Sequence, residues 1–448
     1  MKMLKRISPT LCVFLLALIA YGFSSQVTLH PTSIAPHYVY LAQSLLHGHV
    51  DLIQLPPTTY DLLQYNGRWF VAGSPMPAIL MLPFVAIFGV NFSDVLFSVV
   101  LGAINVALVY TLLGSFKNYG DTEVTEGLEN LRGLRASVVI SESTRRWLTL
   151  LFALGTPHWY LASLGSYWFA AHIVATFFAL LAVREVLTKQ RWFLSGLWLA
   201  CAGFARPTVL ALIPFFLIVV YVVIRNTQCA PHSPWSILRK TLLFASAICL
   251  GLSAHAVYNY ARFHSFSDFG YSYVAGAQNI TSVYARYGGF NPRFLPCNLS
   301  IALITPPEVN GQVPGYVTEA CSYLLEGVNL SDTSAPIAPN PMGMSLFLTT
   351  PALLLIFAAR RREPIVVAAW IGLLATMIPL WLYHNTGSLQ FGYRYIFDAT
   401  PLWLILLAGG IGEKITWPKR GLILASIAIN LWGFLWMFEK FVGAHWGF

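Results

Sequence analysis

The chain repeats long apolar runs separated by short polar loops, and that pattern leaves little choice of fold. The runs fall at about 11–23, 74–90, 95–114, 147–163, 167–183, 192–206, 208–224 and 241–260, then at 344–359, 364–383, 397–412 and 421–438. Crossing a bilayer in helical form takes roughly 17 to 25 such residues. Of the 448 residues, 56% are hydrophobic and only 10% are charged. A soluble domain carries about 25% charged residues. A soluble globular protein, a disordered tail protein and a nucleic-acid-binding domain are all excluded. The formal charge of +9 sits mostly in the short loops, a signature of membrane topology rather than of RNA contact. The six cysteines form no CxxC pair and no Cys/His cluster, so no zinc or Fe–S site is expected.

Lys2, Lys5 and Arg6 precede the first run. A signal peptide begins in the same way, but no clean A-x-A cleavage site follows. The expectation is a retained first helix with its N-terminus in the cytoplasm. Four further basic clusters are Arg184, Lys189 and Arg191; Arg225, Arg239 and Lys240; Arg360, Arg361 and Arg362; and Lys414, Lys419 and Arg420. With the N-terminal three they hold 15 of the 27 basic residues, and the positive-inside rule puts them all in the cytoplasm. Two polar stretches, 24–73 and 261–343, then lie outside on one side and can build one surface. The polar segment 114–143 has mixed charge and does not declare its side.

Eight runs precede the long loop, yet an inside N-terminus and an outside loop require an odd number. One run within 74–114 or 147–183 must be re-entrant or interfacial. The expected architecture is an all-α polytopic membrane protein with about 11 transmembrane helices. It divides into an N-terminal transmembrane module, 1–260, which includes the first external loop 24–73. The long external loop 261–343 and a C-terminal transmembrane module, 344–448, complete it. Residues 37–47 read as a short amphipathic helix in the first loop. No internal repeat is visible.

The motifs come in a distinctive order. Ala35-Pro-His-Tyr-Val-Tyr-Leu-Ala-Gln-Ser-Leu-Leu-His-Gly48 leads to Ser74-Pro-Met-Pro-Ala-Ile-Leu-Met-Leu-Pro83. Gly155-Thr-Pro-His-Trp-Tyr160, Trp168-Phe-Ala-Ala-His172, Gly203-Phe-Ala-Arg-Pro-Thr208, Tyr258-Asn-Tyr-Ala-Arg-Phe263 and Gln390-Phe-Gly-Tyr-Arg-Tyr395 follow. This layout resembles the GT-C superfamily of integral-membrane glycosyltransferases, in particular bacterial multi-pass proteins similar to protein O-mannosyltransferases. The resemblance implies a GT-C-like fold with two external loops forming the site. It implies an inverting transfer of a sugar from a polyprenyl-phosphate carrier to an external acceptor. The expected location is the cytoplasmic (inner) membrane, with the site on the external face. The lipid-phosphate sugar would be co-substrate, membrane lipids would be partners, and the acceptor would be a glycan, lipid or protein. A divalent metal is compatible with the family, but no metal ligand set is read from the residues.

Superfamily members carry an acid just after the first helix, whereas residues 32–37 here hold none. The loop's acids are Asp51 and Asp61. A phosphate leaving group is a good one, so the main requirement is a base for the acceptor hydroxyl and a cation for the phosphate. Asp61 is the preferred base, Asp51 the second, and His37 an alternative because imidazole titrates near neutrality. Each also reads as an ordinary polar loop residue. Arg394 and Asp398 lie four apart at the start of an expected helix, and hence on one face. Arg394 would hold the phosphate, and Asp398 would orient Arg394 or act as a second carboxylate; the other reading is a structural ion pair that caps the helix. Arg206 and Arg293 are further phosphate candidates. His158 and His172 lack metal spacing. The aromatic groups Trp159, Tyr160, Tyr167, Trp168, Tyr271 and Tyr273 suit either sugar stacking or an interfacial belt. Cys297 and Cys321 are the two cysteines in external regions, where a disulfide can form. Sequons stand at Asn279, Asn298 and Asn329.

Three other readings remain open at this stage. An O-antigen-type polymerase or ligase would lean on Arg and His, here Arg293 and His37. A transporter or lipid flippase would move its substrate unchanged. A family member without the usual acids would be inactive.

Overall fold

A computed structural model describes residues 8–116, 138–225, 234–276, 278–325, 335–360 and 362–443. Lys2, Lys5, Arg6, Arg361, most of the segment 114–143 and the sequon at Asn329 lie outside the described residues.

The protein is a mostly helical, multi-pass membrane protein. Among the described residues, six helices are long and apolar enough to cross a membrane: Asp94–Gly114, Tyr167–Thr188, Trp235–Phe263, Pro364–Trp381, Arg394–Ile411 and Trp417–Val442. Four shorter apolar helices accompany them: Pro9–Ser25, Met76–Asn91, Trp192–Gly203 and Pro207–Val223. Arg394–Ile411 is the most enclosed of the six, with 94% of its apolar window buried. A helix apolar on all sides belongs inside a bundle. Gly410 permits its close packing, since a Cβ there would lie 1.9 Å from the Leu355 carbonyl oxygen.

Local chemistry sets the helix ends. Helix α1, Pro9–Ser25, starts at Ser8, whose hydroxyl accepts the Leu11 amide, and has Pro in its first turn. Helix α2, His37–Leu46, is the amphipathic helix expected in the first loop. After it the chain forms a hairpin, β1 Leu62–Tyr65 and β2 Arg68–Val71, with Leu62 opposite Val71 and Tyr65 opposite Arg68. Asn66 and Gly67 make its turn, with φ of 48° and 75°. Two positive φ values suit a two-residue turn whose twist matches the strands, which is why Asn-Gly stands there. The apolar run 147–163 divides at Gly155-Thr156-Pro157 into Glu142–Leu154 and His158–Ser163. Lys419 closes the far end of Thr400–Ile411 by donating to the Ile411 carbonyl at 2.7 Å.

Helix α3, Met76–Phe88, does not behave like its neighbours. The Met76 amide donates to the Phe204 carbonyl at 3.1 Å. Just past its other end, Ser93 Oγ bonds the Pro31 carbonyl and the Ser33 amide donates to Asp94 at 2.9 Å. The same segment receives the Tyr167 amide on the Ala35 carbonyl at 3.1 Å. Arg206, two residues past Phe204, pairs with Asp398, which lies against His172 in the second turn of Tyr167–Thr188. Both ends of α3 therefore lie at one end of the bundle. Its free face carries exposed Phe84, Ile87 and Phe88.

The long loop is built rather than loose. Gln278–Tyr287, Leu295–Leu303 and Gly315–Ala320 are helical, and β3 Glu308–Val309 pairs with β4 Ile337–Ala338. Cys297 and Cys321 are joined by a disulfide with Cα atoms 4.8 Å apart, as the sequence suggested. Asn298 is fully buried and its amide donates to the carbonyls of Phe294, Trp381 and Tyr383. That sequon is consumed by the fold and is closed to a glycan.

Candidate functional site

The stretches 24–73 and 261–343 meet through their backbones. The Asp61 amide donates to Ala275 O at 3.0 Å, and the Ala275 amide returns to Leu62 O at 2.8 Å. At this junction a cavity of about 480 Å³ opens, lined by Asp61, Ser74, Trp168, Arg206, His384 and Arg394 among others. Three residues read from the sequence as candidates, Asp61, Arg206 and Arg394, are thus brought to one space.

Asp61 sits at the foot of β1 with φ of 60°, a left-handed conformation that Asp tolerates better than most residues. Its Oδ2 accepts the Trp168 indole Nε1–H at 2.8 Å, and the Tyr167 hydroxyl lies nearby. Burial raises its pKa above the usual carboxylate value, while Trp168, Tyr167 and the Arg394 charge pull it back. The result is a more basic carboxylate than a solvated one, fixed in orientation.

Arg206 owes its position to Pro207. The residue before proline is pushed out of helical geometry, and Arg206 is extended at φ of −146° and ψ of 108°. The helix ends there and the guanidinium turns to Asp398, with Nε to Oδ1 at 2.6 Å and Nη2 to Oδ2 at 3.1 Å. Thr208 Oγ1 also donates to Asp398, and His172 Nδ1 lies 3.4 Å from Oδ1. The Asp398 side chain is fully buried.

Arg394 is held differently. Gln390 accepts its amide at 3.0 Å and donates to the carbonyls of Met342 and Thr386 at 2.9 and 2.7 Å. The guanidinium lies 5.6 Å from the Phe169 ring centre and 5.9 Å from that of Tyr395. Arg394 is 7% exposed. Its Nε has no hydrogen-bond partner and no ion pair to it exists among the described residues. The expected pairing of Arg394 with Asp398 is corrected. The segment Arg394–Ala399 is a 3-10 helix, whose three-residue turn does not align positions four apart. Asp398 serves Arg206 instead, and Arg394 lines the cavity without a salt bridge among the described residues, with the Asp61 carboxylate in the same space.

The remaining candidates lie elsewhere. His37 is buried behind the wall, stacked on Tyr167 at 4.6 Å, with Nε2 donating to the Tyr60 carbonyl at 3.0 Å. Burial lowers its pKa to about 4, so it is neutral. Asp51 is not in the cavity lining and lies 3.4 Å from His49. Arg293 is exposed and covers the Tyr287 ring at 4.7 Å. His158 bonds the Tyr21 hydroxyl at 3.0 Å. Among the described residues no group of three or more His, Cys, Asp or Glu is arranged to hold a metal ion. Sequence reasoning missed Gln390 as the support of Arg394, although it lies inside a quoted motif. It also missed Tyr284, Tyr383 and His384, which only the fold brings to the cavity.

No protein-family model and no curated protein matches the chain. Among solved structures, it is similar over 94% of its length to ArnT from Cupriavidus metallidurans bound to undecaprenyl phosphate, at 13% identity and a TM-score of 0.46. It is similar over 96% of its length to the oligosaccharyltransferase of Archaeoglobus fulgidus in the apo form, at 13% identity and a TM-score of 0.42. The chain spans 62% and 55% of those two chains.

Proposed function

We propose that the protein transfers a sugar from a polyprenyl-phosphate carrier to an acceptor hydroxyl at the outer membrane face. The observation that carries this reading is one cavity holding a half-buried, oriented carboxylate and a buried arginine that makes no ion pair among the described residues. Asp61 takes the acceptor proton as the acceptor oxygen forms its bond to the sugar's anomeric carbon. The bond from that carbon to the phosphate oxygen breaks on the opposite face, so configuration inverts. The released phosphate keeps the electron pair, and Arg394 holds its charge in a site where a fixed cation acts more strongly than in water. Arg206, anchored by Asp398, frames the same cavity.

In this reading α3 lies at the outer face, and the run 74–90 is the one that does not cross. The basic clusters then face the cytoplasm and both external loops face outward. The modules 1–260 and 344–448 supply the bundle, and the loop 261–343 covers the site.

The test is native mass spectrometry of the protein in mild detergent with undecaprenyl phosphate and its glycosylated forms. Saturable binding to the wild type, weakened about tenfold or more in Arg394→Ala at unchanged thermal stability, is the expected result. A wild type that binds no lipid phosphate overturns the reading.

A further inference from the structure

The cavity has a second wall whose chemistry differs from that around Asp61. Tyr271 comes from the start of the long loop, Tyr284 from Gln278–Tyr287, and Tyr383 and His384 from the turn after Pro364–Trp381. All four line the cavity. The three phenol rings surround the imidazole edge to face, with centres 5.7, 5.2 and 4.3 Å from it for Tyr271, Tyr284 and Tyr383. No charged residue lines this wall; the charged lining residues Asp61, Arg206 and Arg394 come from other segments.

His384 is the informative member. It is 2% exposed, and its Nδ1 has no hydrogen-bond partner among the described residues. Buried polar groups are nearly always paired, so an orphan beside a cavity points to a ligand. Burial lowers its pKa to about 4, so at neutral pH it is an uncharged imidazole that donates at one nitrogen and accepts at the other. The wall is also rigid. The His384 amide donates to Gly289 O at 3.0 Å, and the Asn291 amide donates to Leu382 O at 2.8 Å.

We propose that Tyr271, Tyr284, Tyr383 and His384 form the subsite that receives an uncharged sugar ring. Aromatic rings offer flat apolar faces to the C–H side of a pyranose, and the neutral imidazole offers a hydrogen bond to one hydroxyl. None of these four side chains itself carries a charge to pair with a charged ring. The proposal rests on the glycosyl-transfer reading above, and the ring belongs either to the lipid-linked donor or to the acceptor.

The experiment measures dissociation constants for wild type, Tyr284→Ala, Tyr284→Phe and His384→Gln in detergent. The probes are undecaprenyl phosphate, undecaprenyl phosphate carrying a neutral hexose, and the free methyl hexoside. Tyr284 is only partly buried, so its variants are expected to fold. The expected result is that Tyr284→Ala and His384→Gln weaken the lipid-linked hexose about tenfold and leave bare undecaprenyl phosphate unchanged. Tyr284→Phe keeps the ring and should bind as wild type. Loss confined to the methyl hexoside supports the subsite and assigns it to the acceptor. Equal weakening of the bare lipid phosphate, or no effect on either sugar probe, overturns the proposal. A wild type that binds the hexoside but no lipid phosphate overturns the transfer reading while leaving the subsite standing.

Discussion

Trp168 donates its indole N–H to the Asp61 carboxylate at 2.8 Å, across 107 residues of sequence. The bond ties the foot of the hairpin to the start of Tyr167–Thr188. It stabilises the ionised form of Asp61 against the burial that raises its pKa. A general base must be deprotonated to work, so activity should rise with pH as Asp61 ionises. Trp168→Phe keeps the ring and removes the donor. The acid limb of the pH–rate profile should move to higher pH, with kcat lower by about tenfold. An unmoved limb with reduced rate would mean that Trp168 acts only by packing.

Asp61→Asn should abolish transfer, by roughly a hundredfold or more, without loss of fold. The sign of its stability effect follows from linkage. A carboxyl whose folded pKa lies above its unfolded value binds more protons folded than unfolded. Its contribution to stability is present at acid pH and falls as pH rises past the unfolded value and through the folded one. At neutral pH the ionised Asp61 is thus a cost to the fold, and the neutral amide removes it. Thermal melts at pH 7 should show Asp61→Asn at least as stable as wild type. A lower melting temperature would make Asp61 a structural residue.

Much of the scaffold was legible because membranes impose simple rules. Apolar runs and basic clusters located the helices, and Pro207 and Gly155-Thr156-Pro157 marked real breaks. The Asn66-Gly67 turn was an available hairpin signal that went unread. The site was less legible. Arg394 and Asp398 stand four apart, and only the 3-10 geometry of Arg394–Ala399 sends them to different partners. The pairing of Asp398 with Arg206 spans 192 residues and leaves no periodic trace. His37 reads as a titrating loop histidine until burial and the Tyr60 carbonyl are seen.

The placement of α3 predicts a labelling pattern. With Cys12, Cys201, Cys229 and Cys249 replaced, single cysteines are introduced at Leu55, Asn91 and Lys414. Leu55, Asn91 and Lys414 are all exposed. Leu55 lies in the stretch 24–73, proposed to be external, and Asn91 follows α3. A membrane-impermeant maleimide on intact cells should label Leu55→Cys and Asn91→Cys, and reach Lys414→Cys only after permeabilisation. Labelling of Asn91→Cys only after permeabilisation would make α3 a crossing.

The Arg206–Asp398 pair gives a prediction of stability separable from catalysis. Asp398 is fully enclosed, and its charge is answered by Arg206 and the Thr208 hydroxyl. Removing one partner of a buried pair leaves the other charge desolvated and costs about 3–5 kcal/mol. Replacing both by apolar residues of similar size is far less costly. Asp398→Leu and Arg206→Met should each lower the melting temperature sharply, and the double variant should recover most of the loss. The double variant would still lack the cation that frames the cavity, so its transfer activity should stay low despite restored stability. If the two single losses simply add in the double variant, the residues do not act as a unit, and Arg206 would then have to be stabilised chiefly by its contact with the Tyr395 ring, 5.3 Å away.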